Sequence, residues 1–280
     1  MRSGNSGCAL LVHGLEGAAY SSYILALAKL LQKESWDVAA LNLRGCSGQP
    51  NRLYNAYHSG ATADVKLVLE ELQKEYQTLA LIGFSLGGNI VLKYAGDEAG
   101  RLPFGLKTVV GVSVPCHLSS SAKKLEDAQN WVYSQRFLVS LKAKLKQKME
   151  TFPEKLSQRE FEKIHTIRQF DDAYTAPANG FRDAEDYYAQ CSSVFVLDKI
   201  SIPTLLINAQ DDPFLTGLCF PWQQAERNPN LHLYAPNYGG HVGFWLDSSK
   251  KACLHEEWIL DFLSGSNTYN LSESRVANPK

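Results

Sequence analysis

Short, largely apolar runs alternate along this chain with segments whose apolar residues recur three or four positions apart. Cys8 to Val12, Asp37 to Leu43, Leu79 to Phe84 and Thr108 to Val114 are such runs. Thr204 to Ala209, introduced by Pro203, and Leu231 to Ala235 complete the set. Runs of this length predict strands buried on both faces. Between them the period changes. Ile24, Leu27, Ala28 and Leu31 predict a helix capped by Ser21 or Ser22, and Val65, Val68, Leu69 and Leu72 predict one over Ala63 to Glu75. A third helix is expected from Ile90 to about Gly96, and Ala252 to Leu263 reads as a closing helix. Strands alternating with helices imply an α/β fold, a mainly parallel sheet covered on both sides.

One interval breaks the alternation. Pro115 to Ile202 is too long for a connection and looks mostly helical. Leu138, Leu141, Leu145, Met149 and Phe152 form one stripe, while Lys142, Lys144, Lys146 and Lys148 are expected to point elsewhere. This is an amphipathic surface helix, with a basic helix touching a membrane as the rival reading. The interval at about 115–202 is read as a lid inserted between sheet strands. No internal repeat or low-complexity linker divides the remainder, so residues 1–280 are expected to form a single domain carrying that insertion.

Composition narrows the class without naming a function. Apolar residues make up 45% of the chain and charged residues 20%, which suits a globular protein with a substantial core. A net charge of -1 gives no reason to expect nucleic acid or an anionic membrane as partner. No apolar run approaches the roughly 20 residues of a membrane span, and no signal-peptide pattern precedes the first strand. The six cysteines are scattered without paired metal-ligand spacing. Reduced thiols in a cytoplasmic protein are the expectation.

The candidate chemistry begins at Gly83-Phe84-Ser85-Leu86-Gly87, between an apolar run and an amphipathic segment. That order of strand, sharp turn and helix is what a nucleophile elbow needs. Glycines beside the serine leave room for the strained turn, which sets the hydroxyl at a helix N-terminus. Two further strand ends carry candidates. Gln210-Asp211-Asp212-Pro213-Phe214 follows one, and Gly239-Gly240-His241-Val242-Gly243 follows the last. Taken singly, each is an ordinary turn. Jointly, in the order serine, acid, histidine, they match the α/β-hydrolase arrangement. A serine hydroxyl is a weak nucleophile until an imidazole takes its proton, and the imidazole needs a carboxylate to hold its tautomer. Of the seven histidines, His241 is the expected base. His13 belongs to the loop His13-Gly14-Leu15-Glu16-Gly17, and His58 is read as structural or as a supporting residue. The backbone N–H groups of Leu15 and Leu86 are the expected oxyanion donors. Asp212 is preferred over Asp211 because the residue before a proline is held extended.

These stretches, with Asn42 to Gly48, Tyr57 to Gly60 and the Thr175-Ala176-Pro177 and Ala184 to Tyr188 segments, resemble the YheT-like branch of α/β-hydrolases. The resemblance spans nearly the whole chain. It implies carboxylic-ester hydrolysis by Ser85, Asp212 and His241, with no metal and no organic cofactor. Members usually carry a leading hairpin, whereas this chain begins almost at the first strand. With the branch's strand order, Asp37 to Leu43 becomes an exposed sheet edge. The expectation is a homodimer through that edge or a marginally stable product of a late start codon.

The expected activity is therefore that of a serine carboxylesterase acting through an acyl-enzyme on a small-molecule or lipid ester. A lipase or phospholipase acting on longer acyl lipids is the alternative within the class. A catalytically silent binding module on the same fold is the alternative outside it. A complete triad argues against the silent module, and a serine rather than a carboxylate at position 85 excludes dehalogenase chemistry.

Overall fold

The computed structural model describes residues 7–244 and 253–265. Strands β1 (Gly7–Val12), β2 (Asp37–Leu41), β3 (Thr78–Phe84), β4 (Leu106–Val112), β5 (Thr204–Ile207) and β6 (Leu231–Tyr234) form one parallel sheet. Their spatial order is β2-β1-β3-β4-β5-β6. Every residue of β1 is buried, as the unbroken apolar run requires. Its side chains alternate between two cores: Cys8, Leu10 and Val12 face one, Ala9 and Leu11 the other. Helices α1 (Ser22–Lys33), α2 (Thr62–Leu72) and α3 (Leu86–Asp97) cover the two faces. Ile24, Leu27 and Leu31 of α1 seal one side with Trp258 and Ile259 of the closing helix Leu254–Ser264. Val65 and Leu69 of α2 seal the other with Ile90, Val91 and Tyr94 of α3. Ala252, expected to open the closing helix, lies outside the described residues.

Four strands end earlier than the apolar pattern suggests, at Leu41, Val112, Ile207 and Tyr234. β2 stops at Leu41 because the Leu43 N–H is given to the His13 ring instead of to a neighbouring strand. β4 stops at Val112 because the Asn208 side chain takes over its pairing, accepting from the Val114 N–H and donating to the Val114 carbonyl. Among the described residues β2 bonds only to β1 and is an edge strand.

Between β4 and β5 the chain runs through α4 (Leu118–Leu125), α5 (Trp131–Thr151) and shorter helical turns as far as Lys199. Leu138, Leu141 and Leu145 of α5 pack on Ile164, Ile167, Phe170 and Tyr174 in a core of their own. The lysines of α5 do not all point away from this packing, contrary to expectation. Lys144 turns inward to the Glu16 carboxylate at 2.9 Å, and Lys148 turns inward to the carbonyls of Asn51 and Leu53. Acceptors supplied by loops distant in sequence override the local amphipathic pattern. No helix among the described residues is long and apolar enough to cross a membrane.

Candidate active site

Successive connections leave β1 toward β2 on one side and return to β3 on the other, so a crevice opens between the ends of β1 and β3. Ser85 stands at that point, between the last residue of β3 and the first of α3. Its φ of 51° is a left-handed conformation that a non-glycine residue adopts at a cost. The Ser85 N–H donates to the Val112 carbonyl at 2.8 Å, which ties the strained residue to β4. The flanking glycines have distinct tasks. A Cβ on Gly83 would strike the backbone of Gly87, across the turn itself. A Cβ on Gly87 would strike the carbonyls of Val12 and His13 at the end of β1. The second clearance is tertiary, and it lets α3 start against the neighbouring strand.

Ser85, His241 and Asp212 lie in one hydrogen-bonded line. His241 Nε2 is 3.0 Å from Ser85 Oγ, and His241 Nδ1 is 2.8 Å from Asp212 Oδ2. The Asp212 side chain is fully buried and the His241 side chain is 17% exposed. A carboxylate can only accept, so Nδ1 carries the ring proton and Nε2 presents its lone pair to the serine hydroxyl. The other Asp212 oxygen accepts the Phe214 N–H at 2.9 Å, which fixes the carboxylate plane. The Phe214 ring lies 4.4 Å from the imidazole, centre to centre.

Asp211 points elsewhere and accepts the Gly240 N–H at 2.8 Å, bracing the loop that carries His241. Ser113, at φ 53° and fully buried, accepts the Val242 N–H at 3.0 Å on the other side of that histidine. Nothing in the sequence pattern marked Ser113. It lies inside a predicted strand, one residue past the end of β4, and its partner lies far along the chain.

The loop after β1 is held from three directions. His13 is completely buried; its Nδ1–H donates to the Gly14 carbonyl at 2.7 Å and its Nε2 accepts the Leu43 N–H at 3.1 Å. Burial lowers its pKa and keeps the ring neutral in this role. The Gly14 N–H donates to the Tyr23 hydroxyl and the Glu16 N–H to the Tyr57 hydroxyl. Among the described residues no protein group accepts the N–H of Leu15 or of Leu86. Both residues line the same cavity as Ser85 and His241.

Glu16, in a left-handed conformation at φ 54°, is the unexpected feature of this loop. Its carboxylate is 6% exposed and takes Lys144 Nζ at 2.9 Å, the Tyr57 hydroxyl at 2.8 Å and the Ser140 hydroxyl. The segment between β4 and β5 is thus clamped to the residue beside Leu15. Cys46, just past β2, receives a weak donation from the same ammonium at 3.4 Å. Arg44 pairs with Asp64 at 2.6 Å. His58 lines the cavity with its Nδ1 accepting the Gly60 N–H, and burial pushes its pKa down to about 4.

The cavity holds about 500 Å³, with Ser85 and His241 in its lining. Much of its wall is apolar, including Leu118, Leu125, Phe137, Leu141 and Phe170. A hydroxyl with its proton acceptor aligned, two N–H groups and an apolar chamber together suit acyl transfer from an ester.

Known proteins share this fold. Residues 10–248 match the family model described as the alpha/beta hydrolase fold. The Escherichia coli (strain K12) protein YheT, named as a candidate esterase, is 37% identical over 92% of this chain and 78% of its own length. The mouse phospholipase ABHD3 is 31% identical over 89% of this chain, which spans only 61% of that protein. Among solved structures, the Pyrococcus furiosus esterase Pf2001 superposes with a TM-score of 0.61 at 16% identity, covering 94% of this chain and 83% of that one.

Proposed function

The chain belongs to the alpha/beta hydrolase family, at its esterase and lipase end, and from that premise we propose that it cleaves carboxylic esters through an acyl-enzyme on Ser85. The observation that carries this reading is the unbroken line from buried Asp212 through His241 to Ser85 at the cavity wall. His241 Nε2 takes the hydroxyl proton as Oγ bonds to the ester carbonyl carbon, and the carbonyl oxygen becomes an oxyanion. The N–H groups of Leu15 and Leu86 stabilise that oxyanion; losing such a donor typically costs about 3–4 kcal/mol. The imidazolium then gives its proton to the departing alkoxide, the C–O bond breaks, and an acyl-serine remains. Water enters, loses a proton to His241 and attacks the same carbon. The acid leaves, and the proton returns to Ser85. Asp212 stays ionised throughout and stabilises the cation. Every proton and bond change in the cycle is handled by these groups, with no metal or organic cofactor.

We read the segment at about 115–202 as the lid of this site, because its α4 and α5 residues line the chamber. The apolar wall and the relatedness to a phospholipase favour, as a second reading, esters with longer acyl chains. A fluorophosphonate probe tests the central assignment, since it labels serines activated by a base and an oxyanion hole. Wild type should be labelled and Ser85→Ala should not, with nearly equal thermal stability. Equal labelling of the two proteins would refute the assignment, and an unlabelled, folded wild type would favour the silent module.

A further inference from the structure

The geometry points to esters whose alcohol half carries an anionic group, a phosphate or a carboxylate, received by Lys148 at the outer end of the cavity. This rests on the ester-hydrolase reading above and adds a substrate class to it.

Helix α5 forms one wall of the cavity through Phe137, Ser140, Leu141, Lys144, Gln147 and Lys148, which recur at helical spacing. Contacts place one end of this wall beside the reacting atoms. The Phe137 ring lies 6.3 Å from that of Phe214, which packs on His241, so the N-terminal part of the wall is the catalytic end. Ser140 and Lys144 come next, both on Glu16 beside Leu15. Lys148 lies one further turn along, on the order of 16 Å of helix rise beyond Phe137. There the cavity meets solvent: Gly48, Gln49, Pro50 and Gln147 are exposed lining residues, and the Arg44 side chain is 44% exposed. An acyl chain fits the apolar inner part, and the alcohol half faces Lys148 and the opening.

Lys148 differs from the other cations of the cavity. Lys144 has Glu16 as countercharge and Arg44 has Asp64, but among the described residues Lys148 pairs with no carboxylate. The residue is nonetheless only 7% exposed. Its ammonium donates to the carbonyls of Asn51 and Leu53 and lies 5.9 Å from the centre of the Phe152 ring, and none of these partners carries a full negative charge. An ammonium has three N–H donors, so one remains for a ligand. Burial lowers its pKa, the mark of a charge that has lost water without gaining an anion. Tying the loop at Asn51 to α5 needs only a neutral donor, and a neutral donor would avoid that desolvation cost. The remaining carboxyl of the cavity, Asp171, is engaged by the Tyr188 hydroxyl at 2.6 Å and forms no ion pair with Lys148.

Two esters that differ only in the anion provide the test: 1-decanoylglycerol and 1-decanoylglycerol 3-phosphate, followed by release of decanoic acid. Wild type should favour the phosphate in kcat/KM by at least tenfold at low salt, and the preference should shrink as salt rises. In Lys148→Met the ratio of the two kcat/KM values should fall at least tenfold, and Lys148→Arg should keep most of it. Equal kcat/KM values in wild type, or an unchanged ratio in Lys148→Met, would overturn the inference. Calorimetry on the Ser85→Ala protein needs neither turnover nor a folded Lys148 variant. There octyl phosphate and octanoate should bind at least tenfold tighter than octanol, and inorganic phosphate should bind far more weakly than octyl phosphate. Octanol binding as well as the anions, or inorganic phosphate as well as octyl phosphate, would remove the anion from the ester's path and overturn the inference. Anion binding without ester turnover or fluorophosphonate labelling would sink the hydrolase reading and leave the Lys148 site standing.

Discussion

Replacing Asp212 by asparagine exchanges one carboxylate oxygen for an amide nitrogen and isolates what the carboxylate does. The wild-type side chain is fully buried, with one oxygen on His241 Nδ1 at 2.8 Å and the other on the Phe214 N–H at 2.9 Å. Asparagine offers one acceptor and one donor group. The Phe214 backbone can only donate, so the amide oxygen stays there and the amide nitrogen turns to the imidazole. Nδ1 must then accept, the ring proton moves to Nε2, and Nε2 can no longer take the Ser85 proton. A histidine held in that tautomer lowers kcat by about 10⁴-fold, or roughly 5 kcal/mol of transition-state stabilisation. Asp211→Asn is the internal control. Its amide oxygen can still accept the Gly240 N–H, so kcat should stay within about tenfold of wild type. Initial rates on p-nitrophenyl butyrate at neutral pH, with thermal melts of both variants, provide the measurement. If Asp212→Asn keeps a tenth of wild-type kcat, or if Asp211→Asn proves the more damaging, the proposed acid is the wrong one.

Three more outcomes follow from particular contacts. Leu141 lines the cavity, whereas Leu145 does not line it and is fully buried; Leu141→Ala should therefore shift acyl-length preference, and Leu145→Ala should cost about 2–5 kcal/mol in urea unfolding. Equal effects on both readouts would make the segment merely structural. Burial pushes the Asp171 carboxyl up from 3.8 to about 6, against the pull of its Thr175 and Tyr188 hydrogen bonds. The native state therefore holds this proton where the unfolded chain has lost it, and stability should fall by about 3 kcal/mol as pH rises from about 4 to about 6. Asp171→Asn should flatten that stretch of the stability–pH curve, and an unaltered slope would refute the cause. The half-buried β2 edge should support a homodimer, and light scattering that finds a stable monomer would count against it.

The parallel sheet was legible in the chain because a strand buried on both faces must be apolar at every position, while its covering helices need only one apolar stripe. The turns at Ser85, Asp212 and His241 were legible for a related reason. Each lies in the connection that follows a strand, and glycine or proline marks the backbone it needs. What a loop or helix end meets across the molecule left no such trace. Local pattern placed Lys144 and Lys148 among solvated lysines, yet Glu16 and the carbonyls of Asn51 and Leu53 draw them inward. Gly87 reads as clearance for its own turn, yet the atoms it must avoid belong to β1. Ser113 and Asp211 hold the His241 loop through single hydrogen bonds to residues 129 and 29 positions away. Hydrophobic periodicity is a property of neighbours in sequence, whereas a buried charge or a single backbone donor is satisfied by whatever the fold brings beside it. That pairing is decided only when the sheet has closed.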